Sequence, residues 1–158
     1  MRDDIPAPQS AFQMRYIMTL PRFHLAFPVT DLEQARKFYT GVLGCALGRE
    51  SENWIDFNFY GHQIVAHHTG AMPDCPTSLV DGKQVPTRHF GLLLDRDQWR
   101  ELADRLTEQK IDFLIAPHIR FEGEAGEQAT MFITDPAGNG LEFKSFAAEE
   151  DIFARDIK

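Results

Sequence analysis

Three side chains have the types and the positions that an open metal site requires. His24 lies near the start of an alternating run, "RFHLAFPV" (residues 22–29), and His89 lies in the similar run "RHFGLLLD". Glu142 interrupts an otherwise apolar run, "GLEFKSF" (residues 140–146). Two imidazoles and one carboxylate form the set that holds divalent metals with free coordination positions. Each residue alone is more simply interpreted as a solvent-exposed strand residue, so the metal hypothesis rests on the three together.

The two histidines are equivalent because the chain repeats one pattern. Each half begins with an alternating strand, continues with an amphipathic helix and ends in further strands. Thr30 and Glu33 fit a capping box and Gly44 is placed to end the helix, while Asp95 and Gln98 supply the corresponding cap in the second half. The pattern predicts strand, helix and three strands, twice. One such unit cannot easily cover its own sheet, and two can complete each other.

The repeat also sets the boundaries that we predict. The segments are an N-terminal arm at residues 1–21, a first module at 22–68, a linker at 69–87, a second module at 88–147 and a C-terminal tail at 148–158. Residues 22–147 therefore form one domain of the α+β class. A polar loop at 118–127 is the candidate lid. Asn139 and Gly140 are predicted to form the hairpin turn that leads into the strand of Glu142.

Composition excludes several classes of partner. The formal net charge of −8 argues against nucleic acid, because phosphate binding needs a basic surface. No apolar run approaches the roughly 18 residues that a membrane-spanning helix requires. The first 20 residues lack the features of a signal peptide. Cys45 and Cys75 fit neither a metal motif nor a dense disulfide framework, so we expect reduced thiols and a cytoplasmic protein.

Three stretches of the chain resemble the vicinal oxygen chelate superfamily. They are "FHLAFPVTDLEQARKFYTGVLG", "RHFGLLL" and "DPAGNGLEFKSF", and the resemblance covers roughly residues 22–146. That superfamily includes glyoxalase I, bleomycin- and fosfomycin-resistance proteins and type I extradiol dioxygenases. The resemblance implies paired βαβββ modules whose curled antiparallel or mixed sheet forms a cup. It maps the metal ligands of the family onto His24, His89 and Glu142.

One position departs from the pattern of glyoxalase I. That enzyme takes a fourth ligand from the last strand of its first module. Alignment of Gly61 with Gly138 places Val65 at the position that corresponds to Glu142, and valine cannot bind a metal. The site therefore resembles the three-ligand sites of the dioxygenases and the fosfomycin-resistance enzymes, and glyoxalase I itself is disfavoured.

Further side chains are candidates for contact with the substrate. Val65 and His67 share one face of a strand, since side chains alternate along it. His67 is the candidate catalytic residue, as proton donor or acceptor, and simple solvent exposure at the strand end fits the pattern equally well. The predicted substrate contacts are Gln63, His118, Arg120 and Thr130. For His118 and Arg120 the alternative is an ordinary solvated loop.

The functional prediction is a metal-dependent enzyme whose small substrate binds one divalent ion through two oxygens. Fe(II) is favoured over Mn, Zn, Ni and Co, and dioxygenase-like chemistry is favoured by the three-ligand set and the extra histidine. A redox-neutral lyase, isomerase or transferase, glyoxalase- or fosfomycin-resistance-like, stays open because fold and ligands are shared among these reactions. A non-catalytic drug-binding resistance protein is the alternative outside the enzymes. The resemblance also implies a homodimer, and it leaves open whether the ligands come from one chain or from two.

Overall fold

The computed structural model describes residues 20–124 and 126–155. Most of the predicted N-terminal arm and the last three residues of the predicted tail lie outside this range. Within the described residues, no helix is long and apolar enough to cross a membrane.

Both halves follow the predicted order of strand, helix and three strands. The first half consists of β1 (His24–Val29), helix α1 (Leu32–Arg36) with a π-helical continuation (Lys37–Val42), β2 (Ala46–Glu50), β3 (Trp54–Phe59) and β4 (His62–His68). Between the halves lie β5 (Thr77–Val80) and β6 (Lys83–Pro86). The second half consists of β7 (His89–Leu93), α2 (Arg96–Glu108), β8 (Phe113–Arg120), β9 (Gln128–Thr134) and β10 (Gly140–Phe146), and a 3₁₀ turn follows (Glu149–Phe153).

Each half forms a four-stranded mixed sheet with the same topology. The strand orders are β1-β4-β3-β2 and β7-β10-β9-β8, and the first two strands of each sheet are parallel. Ala26 pairs with Val65 in the first sheet, as Gly91 pairs with Glu142 in the second. This register confirms that Val65 occupies the position equivalent to Glu142.

The two sheets share one core through the faces that carry the helices. Tyr39 and Phe57 from the first half and Leu106 and Phe143 from the second are at most 1% exposed within it. We call the opposite side of each sheet its outer face. His24 and Gln63 lie on the outer face of the first sheet, and His89 and Glu142 lie on that of the second. The candidate residues therefore lie outside the core.

The first helix begins one residue later than predicted. Asp31, and not Thr30, is the N-cap, because its carboxylate accepts the backbone N–H of Gln34 at 2.9 Å. The predicted box of Thr30 with Glu33 is therefore wrong, whereas the second box, Asp95 with Gln98, is confirmed. Both helices thus begin with aspartate followed three residues later by glutamine.

The segment at 69–87, predicted as a linker, contains a β-hairpin. Strands β5 and β6 pair in antiparallel fashion and are joined by Asp81 and Gly82. These two residues have φ angles of 48° and 76°. Asp-Gly with both φ angles positive is typical of the tight two-residue turn whose twist matches that of paired strands.

This hairpin covers part of the outer face of the second sheet. Val85 is fully buried and packs with Ile115 and Phe132 in a small apolar cluster separate from the main core. The loop predicted at 118–127 is shorter than expected, because β8 continues to Arg120. The described element that lies over this face is therefore the hairpin from the linker.

A buried carboxylate closes the turn before β10 and binds the first half. Asp135 is 4% exposed and accepts hydrogen bonds from the hydroxyl of Tyr39 at 2.9 Å and from the backbone N–H of Asn139 at 2.8 Å. The amide of Asn139 donates to the carbonyl of Pro28 at 2.8 Å. Burial, with the nearby Asp135 carboxylate, raises the pKa of Tyr39 well above its usual value. The halves are therefore joined by polar as well as apolar contacts.

The turn itself differs from the one predicted at Asn139 and Gly140. The residue with positive φ is Gly138, at 88°, and its N–H donates to the carbonyl of Asp135 at 2.9 Å. Gly140 is already the first residue of β10. The side chain of Asn139 bonds to β1 and to Asp135, which explains why this position is polar.

Replacement of Tyr39 by Phe tests the connection between the halves. The change leaves a buried carboxylate without one donor, so we expect the free energy of unfolding to fall by about 1.5–3 kcal/mol. Urea unfolding at pH 7 measures this loss. Tyr60→Phe is the matched control, because the hydroxyl of Tyr60 meets Arg105 at the exposed surface. It should change stability by less than about 0.5 kcal/mol. Equal losses in the two variants would contradict the assigned role of Asp135.

Candidate metal centre

His89 and Glu142 are brought together on the outer face of the second sheet. Their strands, β7 and β10, are parallel neighbours. Nε2 of His89 lies 3.2 Å from Oε2 of Glu142, and the glutamate side chain is only 12% exposed. Two ligands that each lie about 2.1 Å from one ion can be this far apart. Glu142 thus faces a predicted co-ligand and not bulk solvent.

The second oxygen of Glu142 is held by two neighbours. Oε1 accepts the hydroxyl of Thr130 at 3.0 Å and lies 3.5 Å from Nζ of Lys144. Thr130 was predicted as a substrate contact, and in the structure it is buried and bound to the carboxylate. These contacts orient the carboxylate with Oε2 towards His89.

Two glycines give this pair the space that it occupies. A Cβ atom at Gly91 would lie 1.6 Å from the carbonyl oxygen of Glu142, so β7 and β10 approach too closely for any side chain there. A Cβ atom at Gly140 would lie 2.8 Å from the ring of Phe132 and 3.1 Å from the Cβ of His89. The motifs "HFG" and "GLE" therefore have a steric basis.

Backbone and ring contacts determine which nitrogen of His89 faces the carboxylate. Nδ1 lies 2.9 Å from the carbonyl oxygen of Pro86, at the end of the hairpin. A carbonyl only accepts, so Nδ1 carries a proton and Nε2 faces Glu142. The ring also packs edge-on against Phe132, with centroids 5.0 Å apart. Metal-binding histidines are commonly oriented by such an acceptor on the second nitrogen.

His24, like His89, has an acceptor at Nδ1, and here hydrogen-bonded side chains supply it. Its Nδ1 lies 2.8 Å from Oε1 of Gln63, whose amide nitrogen donates to Asp56 at 3.2 Å. Asp56 is 6% exposed and also accepts from Arg49. A carboxylate only accepts, so Gln63 must turn its N–H₂ towards Asp56 and its oxygen towards His24. His24 therefore donates through Nδ1 and leaves Nε2 free.

The structure does not gather the three predicted ligands within one chain. Among residues 20–124 and 126–155, no three His, Cys, Asp or Glu side chains lie together as a metal site would require. His24 faces a separate hollow of about 490 Å³ on the first sheet, lined in part by Asp56 and Gln63. The candidate set is thus divided into a pair on one sheet and a single histidine on the other.

The remaining predicted residues are distributed between both outer faces. His67 is exposed near the end of β4 and lies across from Trp54. His118 and Arg120 belong to β8, and both contact the carboxylate of Asp81 at the hairpin turn. Gln63 contacts His24, as described above. Their roles towards a substrate stay predictions.

Three contributors to the site were not predicted from the sequence. Asp56 interrupts the apolar run "WIDFNF" just as Glu142 interrupts its own, so the argument that selects Glu142 also applies to Asp56. Asp81 with Gly82 is a strong hairpin signal within the segment taken as a linker. Pro86 acts through its backbone carbonyl, and no side-chain pattern indicates that contact.

Both cysteines are free, and neither lies among the candidate ligands. Burial raises the pKa of Cys45 to about 12, so this thiol stays protonated. Hydrogen bonding to the backbone of Arg88, together with the charge of that residue, lowers the pKa of the Cys75 thiol.

Comparison with known proteins agrees with this architecture. A family model described as the Glyoxalase/Bleomycin resistance protein/Dioxygenase superfamily matches residues 23–143. The metallothiol transferase FosB of Lysinibacillus sphaericus (strain C3-41) is 24% identical over 120 residues, which are 76% of this chain and 78% of that protein.

Solved structures extend the likeness to three dimensions. A glyoxalase/bleomycin resistance protein/dioxygenase from Alicyclobacillus acidocaldarius superposes with a TM-score of 0.72 at 32% identity, over 85% of this chain and 97% of that one. The fosfomycin resistance protein FosX from Listeria monocytogenes gives 0.63 at 13% identity, over 83% and 96%. At that identity the second likeness shows the fold alone. The chain therefore belongs to the glyoxalase/bleomycin resistance protein/dioxygenase superfamily.

Proposed function

We propose that this protein is a metal-dependent enzyme whose site forms between two copies of the chain. His24 of one protomer, with His89 and Glu142 of the other, would hold one divalent cation. The observation that carries the proposal is the matched orientation of the histidines. Each has an acceptor at Nδ1 and presents Nε2 on an outer face.

A dimer is proposed because the two outer faces are complementary. The second sheet supplies a histidine and a carboxylate, and the first supplies a histidine that presents the same ring nitrogen, Nε2. Both faces point away from the shared core, and His24 and His89 are exposed on them. A twofold arrangement that places the first sheet of each protomer against the second sheet of its partner generates two identical sites.

A divalent cation at this site would act as a Lewis acid on the substrate oxygens, and iron would also allow chemistry with dioxygen. Residues of this chain orient the proposed ligands and supply a group for proton transfer. Thr130 and Lys144 hold one oxygen of Glu142, which leaves the other available. His67, exposed on the same outer face as Gln63, is our candidate for proton transfer to or from a bound substrate.

Between the reaction classes left open by the sequence, we propose the redox-neutral one. The support comes from the name of one relative, a metallothiol transferase. Dioxygenase-like chemistry is the second candidate, because Val65 leaves the site with three protein ligands. Incubation of the metal-loaded protein with catechols, with oxygen uptake recorded, tests between them. Oxygen uptake would support the dioxygenase. Consumption of a thiol added together with an epoxide, without oxygen uptake, would support the transferase, because the sulfur displaces the ring oxygen, which then takes up a proton.

Metal content of the purified protein tests the ligand set. We expect about one divalent metal per chain in the parent. His89→Ala and Glu142→Gln should weaken metal binding by more than the roughly 100-fold that changes of outer-shell residues typically cause. His68→Ala is the control. This exposed histidine follows His67 in β4, so its side chain points to the face opposite the proposed site. Unchanged metal affinity in His89→Ala would refute the site.

Mixing two inactive variants tests whether the site spans two chains. His24→Ala and Glu142→Gln would each lack a ligand in every site of a homodimer. A mixed dimer would carry one site with all ligands intact and one with two missing. After unfolding and refolding of an equal mixture, about one quarter of the sites should bind metal again. A site built within one chain would give no recovery.

Gln63→Leu tests the orientation of His24 directly. Without the amide acceptor, the imidazole of His24 should lose its preference for the Nδ1–H form. Nitrogen NMR shifts of the metal-free protein report this change, and metal affinity should fall roughly 10- to 100-fold. Gln63→Glu keeps an acceptor and should retain the preference. An unchanged His24 spectrum in Gln63→Leu would show that the amide does not position the ring.

A further inference from the structure

The turn of the hairpin places a carboxylate between two basic side chains. Oδ1 of Asp81 lies 3.2 Å from a guanidinium nitrogen of Arg120, and Oδ2 lies 3.2 Å from Nε2 of His118. The three side chains are between 27% and 38% exposed. The Asp81 carboxylate therefore accepts from two side chains, His118 and Arg120, that project from the same strand, β8.

The second nitrogen of His118 shows that this ring acts only as a donor. Nδ1 lies 2.9 Å from the carbonyl oxygen of Ala116. Both ring nitrogens thus face oxygen acceptors, towards which an imidazole can only donate N–H groups. His118 and Arg120 together present converging donors suited to an oxyanion, since a guanidinium suits carboxylate and phosphate groups.

The pair lies close to the candidate metal ligands. His118 on β8 pairs with Thr130 on the neighbouring strand β9, and the hydroxyl of Thr130 donates to Glu142. Neighbouring strands are about 4.8 Å apart, so two strand spacings, roughly 10 Å, separate β8 from β10. A small molecule that reaches the metal ligands can extend a second functional group to this pair.

We propose that His118 and Arg120 form a subsite for the carboxylate or phosphate group of a small anionic ligand, and that Asp81 occupies it when that ligand is absent. Identification of the ligand as the substrate rests on the function proposed above, whereas anion binding itself does not. The hairpin acts as a cover whose turn is displaced while its base remains attached.

The contacts of the hairpin make this exchange feasible. Ion pairs of partly exposed groups are weak, so an arriving anion can replace the carboxylate of Asp81 at small cost. The opposite end of the hairpin has separate contacts, the buried side chain of Val85 and the carbonyl of Pro86 that orients His89. Displacement of the turn therefore does not require His89 to move.

Binding of inorganic phosphate and of acetate to the metal-free protein tests the subsite. Asp81→Asn removes the competing charge and keeps a residue that suits this turn. It should bind the preferred anion roughly three- to tenfold more tightly than the parent, because the parent must first release Asp81. His118→Ala and Arg120→Ala should lose most of that binding. Asp74→Asn, in the same segment but outside these contacts, should behave as the parent does.

The two anions distinguish the ligand groups. Preference for phosphate would assign the subsite to a phosphate group, and preference for acetate would assign it to a carboxylate. The proposal fails if Asp81→Asn binds neither anion more tightly than the parent, or if Arg120→Ala binds them equally well. Hydrogen exchange should also show lower protection at residues 79–84 when the anion is bound. His89→Ala should abolish metal binding and retain anion binding. Failure of the proposed metal site can therefore be distinguished from failure of the anion subsite.

Discussion

The buried carboxylate of Asp135 connects the turn before β10 to the first half of the chain. It accepts from Tyr39 in the first half and from the backbone of its own turn. A carboxylate removed from water is tolerated only when donors surround it, so the network requires both halves to be in place. Because that turn leads directly into the strand of Glu142, the contact between the halves also sets the position of the Glu142 carboxylate. Formation of the core and formation of the site are therefore coupled.

The halves repeat a backbone but orient their histidines by different means. In the first sheet a side-chain amide, Gln63, accepts from His24 and is itself fixed by the buried Asp56. In the second sheet a backbone carbonyl, at Pro86, performs the same function for His89. Both acceptors hold Nδ1 of their histidine, so Nε2 of His24 is left free and Nε2 of His89 is directed at Glu142. The two sheets therefore share the orientation of their histidines and not the residues that produce it.

Much of this arrangement could be predicted from residue types and spacing. The modules, the pairing of His89 with Glu142 and the equivalence of Val65 with Glu142 all follow from period-two strands and a repeated pattern. The N-cap of α1 was misplaced because Thr30 and Asp31 are both good caps, and only the backbone decides between them. The hairpin was missed because its short strands lie among prolines and glycines. The separation of His24 from its predicted partners was beyond prediction, since local patterns do not specify how two modules pack.

Gly140 limits how the second half can orient its histidine. By strand register it corresponds to Gln63, since His89 pairs with Gly140 as His24 pairs with Gln63. A side chain there would collide with Phe132 and with His89 itself. The second sheet therefore has no room for an amide side chain at this position, and loss of the Pro86 carbonyl contact would leave His89 without an acceptor at Nδ1. The orientation of His89 therefore depends on the hairpin between the two halves, whereas that of His24 depends only on its own sheet.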